Sequence, residues 1–117
     1  MAEVVLYHNP GCSKSRGALE ILEQREEDLL IVEYLENPLS REELAVLVGQ
    51  VGGEPSALVR KDKKFKELGL DPGAYETPSA VIEILAEHPE LMERPVAVFA
   101  GRGVIGRPPE RVLELLG

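Results

Sequence analysis

The chain has 117 residues, 44% of them hydrophobic, and a formal net charge of −8. That length suits one domain with a core of its own, and the acidic balance argues against polyanionic partners such as nucleic acid. With two Phe, three Tyr and no Trp, aliphatic side chains must fill the core and base stacking has little to work with.

The first stretch, residues 3–7, carries the continuous apolar run Val4-Val5-Leu6-Tyr7 and predicts a central strand buried on both faces. Pro10-Gly11 ends it. A helix is predicted from Ser13 to Gln24, with Leu19, Ile21 and Leu22 supplying much of its apolar face. Leu29-Leu30-Ile31-Val32 reads as a second strand, parallel to the first through a right-handed crossover. Over residues 37–93 the pattern changes to helices and loops. Ser40 and Glu43 form a capping box for a helix over 41–51. A short helix is expected over 57–60, and Lys61-Asp62-Lys63-Lys64-Phe65-Lys66 reads as a solvated cationic segment. Thr77-Pro78 caps a helix over 79–87. Strand character returns at Val96-Ala97-Val98-Phe99. Residues 100–103 suit a hairpin turn, 104–106 its returning strand, and 110–116 a last helix.

The order is therefore β-α-β, a helical insert, then β-β-α. This predicts an α/β thioredoxin-like fold: a mixed four-stranded sheet with an inserted helical subdomain. The chain is read as one domain, with a thioredoxin-like core over 1–36 and 94–117 and the insert over 37–93. The thioredoxin arrangement also places a proline with a cis peptide before the third strand, the position held by Arg94-Pro95.

Chemistry concentrates at His8-Asn9-Pro10-Gly11-Cys12-Ser13-Lys14-Ser15. Cys12 is the only cysteine, so neither an internal disulfide nor a zinc site built from cysteine pairs is available, and no metal is expected. It falls at a loop-to-helix junction with polar neighbours, where free amides and the helix dipole favour a thiolate, the nucleophilic form. Ser15 lies one turn on, able to donate to that thiolate or to bond elsewhere. His8 can act as a base, help hold the thiolate, or simply bond the backbone. Without a second cysteine to resolve it, a covalent intermediate at Cys12 needs an external thiol, most simply glutathione followed by a glutaredoxin. Arg60, Arg94 and Arg107 all stand at element ends. Arginine's planar fork suits oxyanions, so three at element ends, at least two of them expected near the nucleophilic sulfur, point to attack on an oxyanion. No leader-like or membrane-spanning apolar run appears, so neither a membrane nor an oxidising compartment is expected and a cytoplasmic location is.

These residues resemble the glutaredoxin-coupled arsenate reductases. The resemblance rests on Tyr7-His8-Asn9-Pro10 with Cys12, Tyr34-Leu35-Glu36 with Pro38, Leu58 with Arg60, Glu67-Leu68-Gly69-Leu70, His88-Pro89, Arg94-Pro95 and Arg107-Pro108, in that order along nearly the whole chain. The forms around Cys12, Met92-Glu93-Arg94-Pro95 and Ile105-Gly106-Arg107-Pro108 look most like a paralogue branch of that family. The resemblance implies that Cys12 attacks arsenate, with Arg60, Arg94 and Arg107 holding the oxyanion. It also implies that His8 and Ser15 favour the thiolate, and that glutathione is co-substrate and glutaredoxin partner, with no bound cofactor. Two other functions fit the same organisation: a thiol-responsive regulator that binds RNA polymerase, and a glutathione-dependent reductase of protein mixed disulfides. The first typically switches through C-x-x-C, absent here; the second needs Cys12 but not all three arginines.

Overall fold

The computed structural model describes residues 3–116. Strand β1 (Val4–Tyr7) leads through helix α1 (Ser13–Gln24) to β2 (Leu29–Val32). The insert holds α2 (Arg41–Gln50), α3 (Lys63–Glu67) and α4 (Pro78–Glu87), with 3-10 turns at Pro55–Leu58, Pro72–Ala74 and Pro89–Leu91. Strands β3 (Val96–Phe99) and β4 (Arg102–Ile105) follow, and a 3-10 helix, Pro109–Leu115, closes the chain. The sheet order is β2-β1-β3-β4, with β1 parallel to β2 and antiparallel to β3, and β3 antiparallel to β4. This is the mixed sheet expected, with β1 internal.

Strand periodicity divides the core into two layers. Val4 and Leu6 of β1, with Ala97 of β3 and Val104 of β4, pack against Ala18 and Leu22 of α1 and against Val112 and Leu115. The alternate residues Val5, Tyr7, Val96, Val98 and Ile105 face the insert, where Leu44, Leu47, Val81, Ile84 and Leu85 cover them. Both faces of the sheet are thus covered, which is why β1 and β3 read as unbroken apolar runs. Edge strand β2 is the exception: Leu30 and Ile31 are exposed.

Several expected boundaries shift for local reasons. The hairpin turn is only Ala100-Gly101, both with positive φ (52° and 79°), as a tight two-residue turn requires, so β4 starts at Arg102 rather than 104. The cationic segment is not simply solvated. Asp62 caps α3 by accepting from the Phe65 N–H at 3.2 Å, and Phe65 is buried against the edge of Tyr75. The expected helix over 57–60 is instead the 3-10 turn ending at Leu58. Val59 then pairs with Met92 as an antiparallel bridge, so Arg60 sits on extended chain. The last helix is 3-10 throughout.

Both Arg94–Pro95 and Arg107–Pro108 peptides are cis. Gly106 lies between them in space. Its N–H donates to the Pro95 carbonyl at 2.8 Å, and a Cβ there would meet Pro95 Cγ at 2.8 Å and Val112 Cγ1 at 3.1 Å. Only glycine lets the end of β4 lie so close to Pro95. Gly106→Ala is therefore expected to lower unfolding free energy by about 1–3 kcal/mol, the usual cost of overpacking, as read by urea denaturation; an unchanged midpoint would contradict this packing.

Candidate active site

The site begins where β1 ends. His8 N–H donates to the Val32 carbonyl at 2.8 Å, tying the loop to the end of β2. Asn9 then turns the chain: its side chain accepts from the Gly11 N–H and its carbonyl from the Cys12 N–H. Cys12 occupies the N-cap position of α1 with extended backbone (φ −103°, ψ 124°). Its thiol makes no formal capping bond, yet the amides of Ser15 and Lys14 face the sulfur, the positions from which an N-cap side chain normally accepts. Burial alone would push the thiol pKa up. The Ser15 N–H, the Arg94 guanidinium, the Lys14 N–H and the charge of Arg94 together bring it below its ordinary value.

The Ser15 hydroxyl is engaged elsewhere. Fully buried, it accepts from the Asn9 N–H at 3.0 Å and pairs with His8 Nδ1 at 2.7 Å. It braces the loop from beneath, and what Ser15 offers the sulfur is its backbone N–H. His8 is 5% exposed. Burial lowers its pKa, against the opposing charge of Glu33 and with the help of Arg16, so the imidazole is kept neutral. A neutral ring needs only one proton shared with the Ser15 hydroxyl, and His8 acts as the buried floor of the loop.

The three arginines arrive by different routes. Arg94 precedes the cis proline, and its guanidinium lies near enough to Cys12 to lower the thiol pKa. Arg107, leaving β4, donates from Nη1 to the Arg94 carbonyl at 3.0 Å. Arg60 is brought in by the short ribbon on Met92: its N–H donates to the Leu91 carbonyl and the Glu93 N–H to the Leu58 carbonyl, both at 2.7 Å. Arg60 Nη1 pairs with Asp62 at 2.9 Å. Glu93 stands between two of them, with Oε1 at 3.6 Å from Arg60 Nε and 3.8 Å from Arg107 Nε. Arg94 has no carboxylate partner among the described residues, and its buried Nε has no protein acceptor.

Two residues here escaped the reading by chemistry. One is Glu93. The other is Tyr34, just past the end of β2, only 1% exposed and with no protein hydrogen-bond partner for its hydroxyl. Burial pushes its pKa up to about 12, eased by the nearby Arg94 cation and raised further by Cys12 and Glu93. The phenol is therefore neutral, and its hydroxyl is near enough to Arg94 and Cys12 to sense the charge of both. A signal existed: ligands in open α/β sheets bind at the carboxyl ends of parallel strands, where Tyr34 follows β2 and Cys12 follows β1. No group of three or more potential metal-ligating side chains occurs among the described residues, and no helix there is long and apolar enough to cross a membrane.

With this geometry in hand, the chain can be compared with known proteins. Residues 7–115 match the model of the ArsC family. The chain is 38% identical over 118 residues to a protein of Neisseria meningitidis serogroup A named arsenate reductase, covering 99% of this chain and 100% of that one. It is also 38% identical over 117 residues to the Escherichia coli K12 protein called uncharacterised protein YfgD, covering 98% of each. Among solved structures, one titled arsenate reductase from Vibrio cholerae superposes with a TM-score of 0.86 at 43% identity, covering 97% of each chain.

Because two loop groups rely on one hydroxyl, Ser15→Ala is expected to lower unfolding free energy by about 1–3 kcal/mol, the cost of leaving buried polar groups unpaired. Denaturant unfolding followed by circular dichroism reads this directly; wild-type stability in the variant would show that the brace contributes nothing.

Proposed function

The chain belongs to the ArsC family, and from that premise we propose that it reduces arsenate to arsenite through a Cys12 thiolate adduct, using glutathione and glutaredoxin as thiol reductants. The observation that carries this reading is the meeting of Arg94 with Cys12 at the start of α1. A nucleophile favoured in its charged form lies beside a guanidinium with no carboxylate of its own. The names of the relatives from Neisseria meningitidis and Vibrio cholerae supply the oxyanion.

The chemistry follows from these groups. The Cys12 thiolate attacks the arsenic of arsenate, an S–As bond forms, and one oxygen leaves as water. Arg94 is placed to hold the remaining oxygens, with Arg60 and Arg107 beside it, and the Tyr34 hydroxyl is free to donate to one of them. Glutathione then adds to the arsenic as a second oxygen leaves as water. Both As–S bonds break as their sulfurs join in a disulfide between Cys12 and glutathione, arsenic takes up the two electrons and, once hydrated, leaves as arsenite, and glutaredoxin clears the disulfide. A single cysteine at an N-cap, with no second thiol in the chain, accords with reductants that come from outside, in the reducing cytoplasm. The two-sided demand for a nucleophile and for oxyanion receptors favours this reading over a mixed-disulfide reductase, which has no use for Arg60 and Arg107.

The test is arsenate-dependent NADPH oxidation with glutathione, glutaredoxin and glutathione reductase supplied. Wild type is expected to turn over, Cys12→Ser to be inactive, and Arg94→Ala to lose about 10²-fold or more in kcat/KM. Absence of arsenate turnover in the wild type would overturn the proposal, and turnover of mixed disulfides indifferent to Arg94→Ala would favour the thiol reductase. In the same assay Tyr34→Phe is expected to raise KM for arsenate by about tenfold, the value of one neutral hydrogen bond, without lowering the unfolding midpoint; an unchanged KM would remove Tyr34 from the site. Rate should rise with pH as Cys12 ionises, and the lowered thiol pKa places that rise below the range of a free cysteine.

A further inference from the structure

Glu93 has no part in the chemistry above, yet it holds the most contested position in the site. Its carboxylate Oε1 lies 3.6 Å from Arg60 Nε and 3.8 Å from Arg107 Nε. Neither contact is a hydrogen bond; the carboxylate is shared between two cations and closed on neither. The backbone fixes it there. Its own N–H is bound to the Leu58 carbonyl at 2.7 Å, and the next residue, Arg94, leads into the cis proline. A planar dioxy anion between two guanidiniums is what a bound oxyanion would look like from the arginines' side.

We propose that Glu93 is an internal counter-ion occupying the place of an oxyanion's outer oxygens, so that an incoming tetrahedral dianion must displace or neutralise it, and that it thereby sets the charge and affinity of the anions the site accepts. The inference rests on the oxyanion-site reading of Arg60, Arg94 and Arg107. It explains why two of those arginines face a carboxylate while Arg94, the one on the sulfur, does not. Arg94 stays available for the reacting centre, and the outer pair is kept ordered and charge-neutralised by Glu93 until a competing anion arrives.

Protonation of Glu93 should have the same effect as its removal. The groups that face it are Arg107 and Arg60, the Arg94 N–H, Lys61 and Asp62. Burial pushes the Glu93 pKa up; Arg107, the Arg94 N–H and Lys61 pull it down, Asp62 pushes it up again, and the balance is a raised value. The carboxyl therefore gains its proton at a higher pH than an ordinary glutamate. As pH falls through that titration, competition with the bound anion is relieved.

The probe is sulfate, a tetrahedral dianion that is not reduced and does not change charge over the working range, measured by calorimetry on wild type and Glu93→Gln. Glutamine preserves shape and volume, and its carbonyl can still accept from the arginines. The expected result is sulfate binding about tenfold tighter in Glu93→Gln at pH 8, the scale of one screened charge repulsion at a partly exposed site, with the gap closing as pH is lowered. Equal or weaker binding in Glu93→Gln overturns the inference, weaker binding marking Glu93 as a mere positioner of the arginines. Binding by neither protein overturns it together with the oxyanion site. The two claims separate cleanly: arsenate turnover with a KM and sulfate inhibition unmoved by Glu93→Gln sinks the counter-ion and leaves the reductase. Tighter sulfate binding without any turnover supports the counter-ion and sinks the reductase.

Discussion

Keeping a thiolate charged in a half-buried position means overcoming the loss of its hydration, and at Cys12 the opposing forces are local and few. Burial raises the thiol pKa; two amides at the start of α1 and one guanidinium lower it by more. Everything that holds those groups in place is therefore part of the site. The Ser15 hydroxyl, sealed beneath the loop, joins His8 and Asn9 so that the amides keep their direction toward the sulfur. The His8 N–H fastens the same loop to β2, and the parallel β1–β2 pair sets the position of α1 behind it.

The cation comes from the far end of the chain, which makes the rest of the architecture answerable to the same constraint. Arg94 follows the insert and precedes the cis peptide to Pro95, and Gly106 allows the strand end after β4 to close against Pro95. Arg107 then supports Arg94 through its carbonyl, and the ribbon from Val59 to Met92 adds Arg60. The insert is in this sense not an ornament on a thioredoxin-like sheet. Its apolar helices cover one face of that sheet, and its two extended edges, before α3 and before β3, deliver two of the three guanidiniums.

Much of this was legible in the sequence because it follows from local rules. Strands β1 and β3 announce themselves as β-branched runs, Pro10-Gly11 breaks the chain between β1 and α1, and Ser40-Glu43 and Thr77-Pro78 mark helix starts that the structure retains. The position of Cys12 at a helix start came from the same rules. Other features depend on tertiary contacts that no local pattern encodes. Phe65 draws a charged segment into a helix because Tyr75, ten residues on, and the insert's core give it a surface to pack on. Arg60 reads as a helix end because Glu54-Pro55-Ser56 suits a helix start, whereas pairing with Leu91 and Met92 extends the chain there. The Ser15 hydroxyl could face sulfur or protein, and only the depth of His8 decides. Tyr34 and Glu93 were hidden for the same reason: an aromatic after a strand and a glutamate in an acidic protein have ordinary explanations until Cys12 and the arginines surround them.

The fold, and Arg94 in particular, lowers the Cys12 thiol pKa below its ordinary value. Since the chain has one cysteine, the pH dependence of its alkylation by iodoacetamide, followed by mass spectrometry, reports on this group alone. The folded protein should titrate at lower pH than the same chain unfolded in denaturant, and Arg94→Ala should move the folded midpoint upward. A folded midpoint at or above that of the unfolded chain, or one that ignores Arg94→Ala, would contradict the account.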